Sequence, residues 1–272
     1  MHVAEKVRSP LVMFIIITFG LSSIFWASMI LAGSYLVNGG LNLLLLLWCP
    51  AVAAFATSYY YREGVRGFGF RLGRVRYLVA GYCVPVVYAA TSIGIIAVLG
   101  LGDYSGQLSF DQYGTLLGFV TVGTTLTMIA AIGEEAGWRG FLVPHLATSR
   151  NFTGVALVSG IIGALWHYPL FLTLDYSAAG LPLWYAIPVF TVLATGLSFA
   201  LAWLRLKSGS VWPAVFFHAS WNLWALYFFV PLISQKEISK YFISETGAVT
   251  AMVVLIGALA FWRLRSALPQ IT

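Results

Sequence analysis

The chain has 272 residues, 60% of them hydrophobic and only 9% charged, with a mean hydropathy of +0.88. A water-facing globule of this size could not carry that composition without large exposed apolar patches, so the sequence reads as an integral membrane protein. The formal net charge of +6 follows from where Lys and Arg lie about the membrane and is no nucleic-acid footprint.

Windows of about 20 apolar residues, the length that crosses roughly 30 Å of hydrocarbon, predict eight spans. They lie near residues 10–33, 41–61, 77–101, 115–146, 154–174, 183–205, 211–233 and 247–264. The expected fold is therefore all-α, a polytopic helical bundle forming a single domain over residues 1–272. The first apolar run is too long for a signal-peptide core and lacks a small-residue cleavage site, so it is expected to persist as the first span. After the second span comes "REGVRGFGFRLGRVRY", residues 62–77, in which arginines alternate with Gly, Phe and Leu. It reads as an interfacial segment whose guanidinium groups meet anionic headgroups, or equally as a topogenic loop. The fourth span is overlong. Cys49 and Cys83 fall inside spans without CxxC spacing and read as apolar filler. No internal repeat or paired broken helix appears, which weakens a transporter reading.

Lys and Arg accumulate on the cytoplasmic side of membrane proteins. With the N-terminus inside, that side takes Lys6, Arg8, Arg62, Arg66, Arg71, Arg74, Arg76, Arg139, Arg150, Arg205, Lys207, Arg263 and Arg265. Only Lys236 and Lys240 then fall outside, where the loops hold Asp103, Asp111, Asp175, Glu237 and Glu245. Both termini are therefore expected in the cytoplasm.

A charge in hydrocarbon costs several kcal/mol, so ionisable residues within spans usually face the bundle interior. Those here are Glu134, Glu135 and Arg139 in "GEEAGWRG", His167 in "ALWHYPLF", and His218, joined by the amide of Asn222, in "SGSVWPAVFFHASWN". Glu135 and Arg139 are i,i+4 neighbours that can pair, leaving Glu134 about 100° around the helix. His218 and Asn222 are also i,i+4 and share a face. For amide hydrolysis these are a base to take a proton from water (Glu134), a group to orient that water (His167), and donors for the oxyanion (His218 and Asn222). Each also has a plain structural role open to it: an ion pair fixing a helix, or side chains bonding one helix to another. His145 and His2 are assigned no role. Three spans each carrying such groups is costly to maintain without a purpose.

Together these residues resemble the CAAX prenyl endopeptidase and bacteriocin-processing (CPBP, or ABI) family of intramembrane proteases. Its first motif, two glutamates and an arginine four residues after the second, is matched by Glu134, Glu135 and Arg139. Its second, a phenylalanine four residues before a histidine, is half met: His167 is present, but Gly163 stands at the earlier position, a change expected to affect packing behind His167 more than chemistry. Its third, a histidine with Asn or Asp four residues later, is matched by His218 and Asn222. The resemblance covers roughly residues 115–230.

It implies an intramembrane endopeptidase of the glutamate type acting on a membrane-associated peptide or protein, prenylated CAAX proteins being the substrates of eukaryotic relatives. Glu134 would activate water with the help of His167, His218 and Asn222 would stabilise the oxyanion, and Glu135 with Arg139 would support the site. No cofactor is expected; the alternative is zinc on Glu134, His167 and His218 with a fourth position for water. Two other readings stay open, a non-catalytic member such as an immunity or scaffold protein, and a proton-coupled transporter. The expected location is a prokaryotic cytoplasmic membrane. Bringing the four groups together requires the overlong fourth span to enter near residue 122 and continue past Gly140, with a water-filled cavity open to the cytoplasm.

Overall fold

The computed structural model describes residues 9–104, 115–173, 180–234 and 236–269. His2, Lys6, Arg8, Asp111 and Asp175 lie outside the described residues. Eight helices are long and apolar enough to cross a membrane. They are α1 (Pro10–Ala32), α2 (Leu41–Tyr61), α3 (Val75–Val98), α4 (Leu116–Ala147), α5 (Phe152–Leu172), α6 (Leu183–Ser208), α7 (Trp212–Leu232) and α8 (Ala248–Ala267). The expected all-α bundle of eight spans is thus borne out, with boundaries within a few residues of those read from hydropathy.

The 32 residues of α4 rise about 48 Å at 1.5 Å each, well beyond the hydrocarbon thickness. The helix begins at Leu116 and, as expected, continues past Gly140 to Ala147. Two stretches of it, Phe119–Gly123 and Ala136–Leu142, widen into π-helix, a local form common where helices carry function.

The packing of α4 explains where its glutamates point. A Cβ on Gly133 would lie 2.6 Å from the Leu47 carbonyl oxygen, and one on Gly137 2.4 Å from Pro50 Cβ. Four residues apart, these glycines form a small-residue seam that brings the backbones of α4 and α2 into contact. With Gly133 against α2, Glu134 and Glu135 turn toward α5, α6 and α7. On α1, Phe14 meets Trp138 edge-on at 5.8 Å and Phe141 at 5.0 Å. Trp138 in turn meets Trp166 of α5 at 5.8 Å, and the Trp166 indole N–H donates to Ser22 of α1 at 2.8 Å.

The arginine-rich connector folds under α4. Its Phe68 is buried against Phe55 and Phe141, while Arg62, Arg66, Arg71, Arg74 and Arg76 are exposed. At the opposite end, Asp103 and Tyr104 pair antiparallel with Ser234 and Ile233. There Lys236 meets Asp103 at 2.8 Å and Lys240 meets Glu237 at 2.6 Å, so each lysine assigned to the outer loops has an acid beside it. The Lys240 ammonium holds the Glu237 carboxyl below its ordinary range. Both cysteines are free, Cys49 buried and Cys83 exposed.

Substituting Gly137 by Val should lower the midpoint of thermal unfolding in detergent by an amount equivalent to about 1–3 kcal/mol of overpacking. Gly94→Ala, where a Cβ meets nothing within 4 Å, should leave it unchanged or raise it.

Candidate active site

Glu134 and Glu135 end the regular part of α4, and Arg139 lies in the π-helical stretch that follows. Glu135 is fully buried. One of its oxygens, Oε1, accepts from Arg139 Nη1 at 3.1 Å and from His218 Nδ1 of α7 at 2.9 Å. Because a carboxylate only accepts, Nδ1 of His218 carries the proton. The other ring nitrogen, Nε2, is then turned toward Glu134 and stands 3.8 Å from its Oε1. Glu134 is 3% exposed and its Oε2 faces the Trp138 indole N–H at 3.4 Å. The i,i+4 pairing of Glu135 with Arg139 was legible from spacing; the bridging of both glutamates by His218 was not.

His167 stands at the end of the regular helix of α5 and directs Nδ1 at the Gly163 carbonyl oxygen, 2.7 Å away. That nitrogen must donate, which leaves Nε2 free to accept or to orient a water. Asn222 begins the second turn after His218, in the π-helical part of α7, and lines the same cavity as Glu134, His167 and His218. Among the described residues its carboxamide has no hydrogen-bond partner, so both a donor and an acceptor remain available.

These groups sit at a waist between two spaces. On one side is a chamber of about 90 Å³ bordered by α4, α5, α6 and α7 and reaching Glu135, Arg139, Gly163 and Leu197. On the other is a vestibule of about 530 Å³ lined by Asn222, Thr127 and Leu126, and by Tyr35 and Leu43 at the α1–α2 turn. Glu134, His167, His218 and Glu245 border both. The vestibule therefore extends from the glutamates toward the α1–α2 turn, away from the arginine-rich connector. α4 runs from the vestibule end, at Leu126 and Thr127, toward the connector end beyond Arg139.

Three contributors were missed in the sequence. Glu245, read as an outer-loop acid, folds inward: Ser244 adopts a left-handed conformation at φ 71°, and Glu245 Oε1 accepts from the Trp221 indole N–H at 2.9 Å. Its position immediately before the last span was the available signal. Arg205, counted only as a cytoplasmic charge, is buried; its Nε donates to the Arg139 carbonyl at 2.8 Å and its Nη2 to Gly67 at 2.6 Å. It fastens the connector to the turn below the glutamates. Trp138, between the glutamates and Arg139, was given no role, yet its indole N–H faces Glu134 Oε2. His145, given no role, bonds Glu63 at 3.0 Å on the surface.

The zinc alternative can be tested against the donors themselves. Among the described residues, no three His, Cys, Asp or Glu side chains are grouped so as to hold a metal ion. Glu134, His167 and His218 share a cavity without forming a ligand set.

Comparison with known proteins follows the same residues. A relative from Methanococcus maripaludis described as CAAX prenyl protease 2 is 28% identical over 149 residues, 52% of this chain and 54% of the relative. The match thus spans about half the length of that curated protein. Residues 116–224, which contain α4, α5 and the motif residues of α7, match a family model. The resemblance carried by the three motifs is therefore to the family described as type II CAAX prenyl endopeptidase, Rce1-like.

Proposed function

We propose that the chain is an intramembrane endopeptidase that hydrolyses a membrane-associated peptide, of the prenylated CAAX type named for its relatives, by glutamate-activated water. The observation that carries this reading is the convergence of Glu134, His167, His218 and Asn222, from three helices, on one cavity. In the proposed reaction Glu134 takes a proton from water held by His167 Nε2, while the water oxygen bonds to the scissile carbonyl carbon. The carbonyl oxygen becomes an oxyanion that Asn222 and His218 Nε2 can meet, the latter when protonated. As the C–N bond breaks, the proton on Glu134 passes to the leaving amine. Glu135 and Arg139 hold His218 in place and do not touch substrate. No metal takes part in this scheme.

We also keep the orientation set by charge, with the exposed arginines of the connector on the cytoplasmic side. Substrate then enters from the vestibule end, where exposed Leu126 and Tyr227 line the opening and offer an apolar path from lipid.

Purified protein in detergent should cleave members of a quenched-fluorescent peptide library, with and without farnesyl groups. Glu134→Gln and His167→Ala should each reduce the rate by about 10²–10⁴-fold, and Asn222→Ala by about 10²–10³-fold. A strong zinc chelator should leave the rate unchanged; loss of activity restored by added zinc would reverse the metal-free assignment. Cellular function that survives Glu134→Gln would favour a non-catalytic protein, and Glu134-dependent proton flux in proteoliposomes a transporter.

Arg139→Ala leaves the Glu135 carboxylate with one partner in a buried site and should destabilise the fold by about 3–5 kcal/mol, read from thermal unfolding. In a cysteine-free background, Arg66→Cys should react with a membrane-impermeant maleimide only from the cytoplasmic side and Ser34→Cys only from the opposite side. The reverse pattern would invert the orientation.

A further inference from the structure

Gly163 lines the chamber of about 90 Å³ beside the glutamates. Gly163 lies on α5 one turn before His167, and a Cβ built there meets nothing within 4 Å. By contrast, a Cβ on the neighbouring Gly160 would lie 2.7 Å from Thr195 Cα, where α5 and α6 touch. Gly160 is needed for packing; Gly163 instead borders empty space. The walls beyond it are mostly apolar, with Leu193, Leu197, Leu201, Phe190 and Phe217 among them.

Glu134 and Glu135 stand at one edge of the chamber. Glu135 lines it and is fully buried, yet its Oε2 has no hydrogen-bond partner among the described residues. An unpaired buried acceptor is costly, and this oxygen is sealed from the chamber by its neighbours. What the chamber offers is apolar surface for a side chain, directly beside Glu134 and His167.

Resting on the peptidase reading above, we propose that this chamber is the subsite for a substrate side chain flanking the scissile bond, and that Gly163 sets its size. Cavities of about 150 Å³ accept benzene, and a water takes about 30 Å³. A space of about 90 Å³ therefore suits an aliphatic side chain such as Val or Leu better than Phe or Trp. Pocket size discriminates by roughly tenfold or more per methylene-scale change.

The test uses the full chain in detergent and the peptide cleaved best in the library, with each residue flanking its scissile bond changed in turn to Ala, Val, Leu, Phe and Trp. At one of the two positions the wild type should prefer Val or Leu over Trp by at least tenfold. Gly163→Leu should shift the preference toward Ala by a similar factor, with Gly163→Ala intermediate, and Leu197→Ala should admit Phe. A folded Gly163→Leu protein with an unchanged profile, or with merely raised thermal stability, would overturn the proposal by making the chamber a packing void. Should Gly163→Leu fail to fold, Leu197→Ala carries the test, and an unaltered Phe rate in it would overturn the proposal. Binding of the same peptides to Glu134→Gln protein, read by fluorescence anisotropy, separates the two readings. Size-graded binding that depends on residue 163 without cleavage by wild type would end the peptidase reading and keep the subsite; binding and cleavage that both ignore size would end the subsite.

Discussion

Compensation of the Glu135 carboxylate inside the bundle is the constraint on which the site depends. At an effective dielectric of about 20, opposite charges 4 Å apart attract by about 4 kcal/mol, and a carboxylate left alone in hydrocarbon would lose more than that. Arg139 and His218 both meet the same oxygen, at 3.1 and 2.9 Å. One partner comes from α4 and the other from α7, so the contact fixes the two helices against each other while directing His218 Nε2 at Glu134. Structure and chemistry are joined at this point. Replacing Glu135 or Arg139 acts on the fold and on the geometry together, whereas Asn222 and the free nitrogen of His167 can be altered with the scaffold intact.

Two other features supply that contact with its frame. The glycine seam of α4 against α2 determines which way the helix faces, because only the Gly133 and Gly137 side can approach Leu47 and Pro50 so closely. Below it, Arg205 holds the Arg139 carbonyl and the connector at once. Widening α4 into π-helix over Ala136–Leu142 weakens its own hydrogen-bond ladder there, and Arg205 satisfies a carbonyl in that stretch. A membrane interior tolerates irregular backbone only where protein or water completes it. Phe68, stacked on Phe55 at 5.0 Å, seals the same region from below.

Much of this was legible in the residues. Hydropathy located eight spans because the length of apolar helix is dictated by the bilayer, a one-dimensional constraint that local sequence records. The i,i+4 pairing of Glu135 with Arg139 was equally local. The meeting of α4, α5 and α7 was anticipated only from the joint cost of their polar groups, and the part of Glu245 in it was not anticipated. Glu245 shows why: loop residues are read by their position between spans, whereas its side chain is placed by the left-handed turn at Ser244 and by the Trp221 indole, neither visible to hydropathy. Arg205 was misread for a related reason. A charge near a span end satisfies the positive-inside rule whether it faces headgroups or two backbone carbonyls.

The two spaces at the waist differ in a way that bears on hydrolysis within a membrane. The vestibule of about 530 Å³ is several times larger than the chamber of about 90 Å³, and both exceed what one water needs. Under the proposed reaction, attacking water is therefore supplied from the vestibule, where Asn222 and His167 Nε2 offer it unpaired polar groups. A peptide lying across Glu134 with one side chain in the chamber would displace the few waters there and leave that supply untouched. Filling the small space organises the substrate; filling the large one would exclude the reagent. A bulky anchor attached to the peptide must then lie toward the opening beside Leu126 and Tyr227, in contact with lipid, rather than in the chamber.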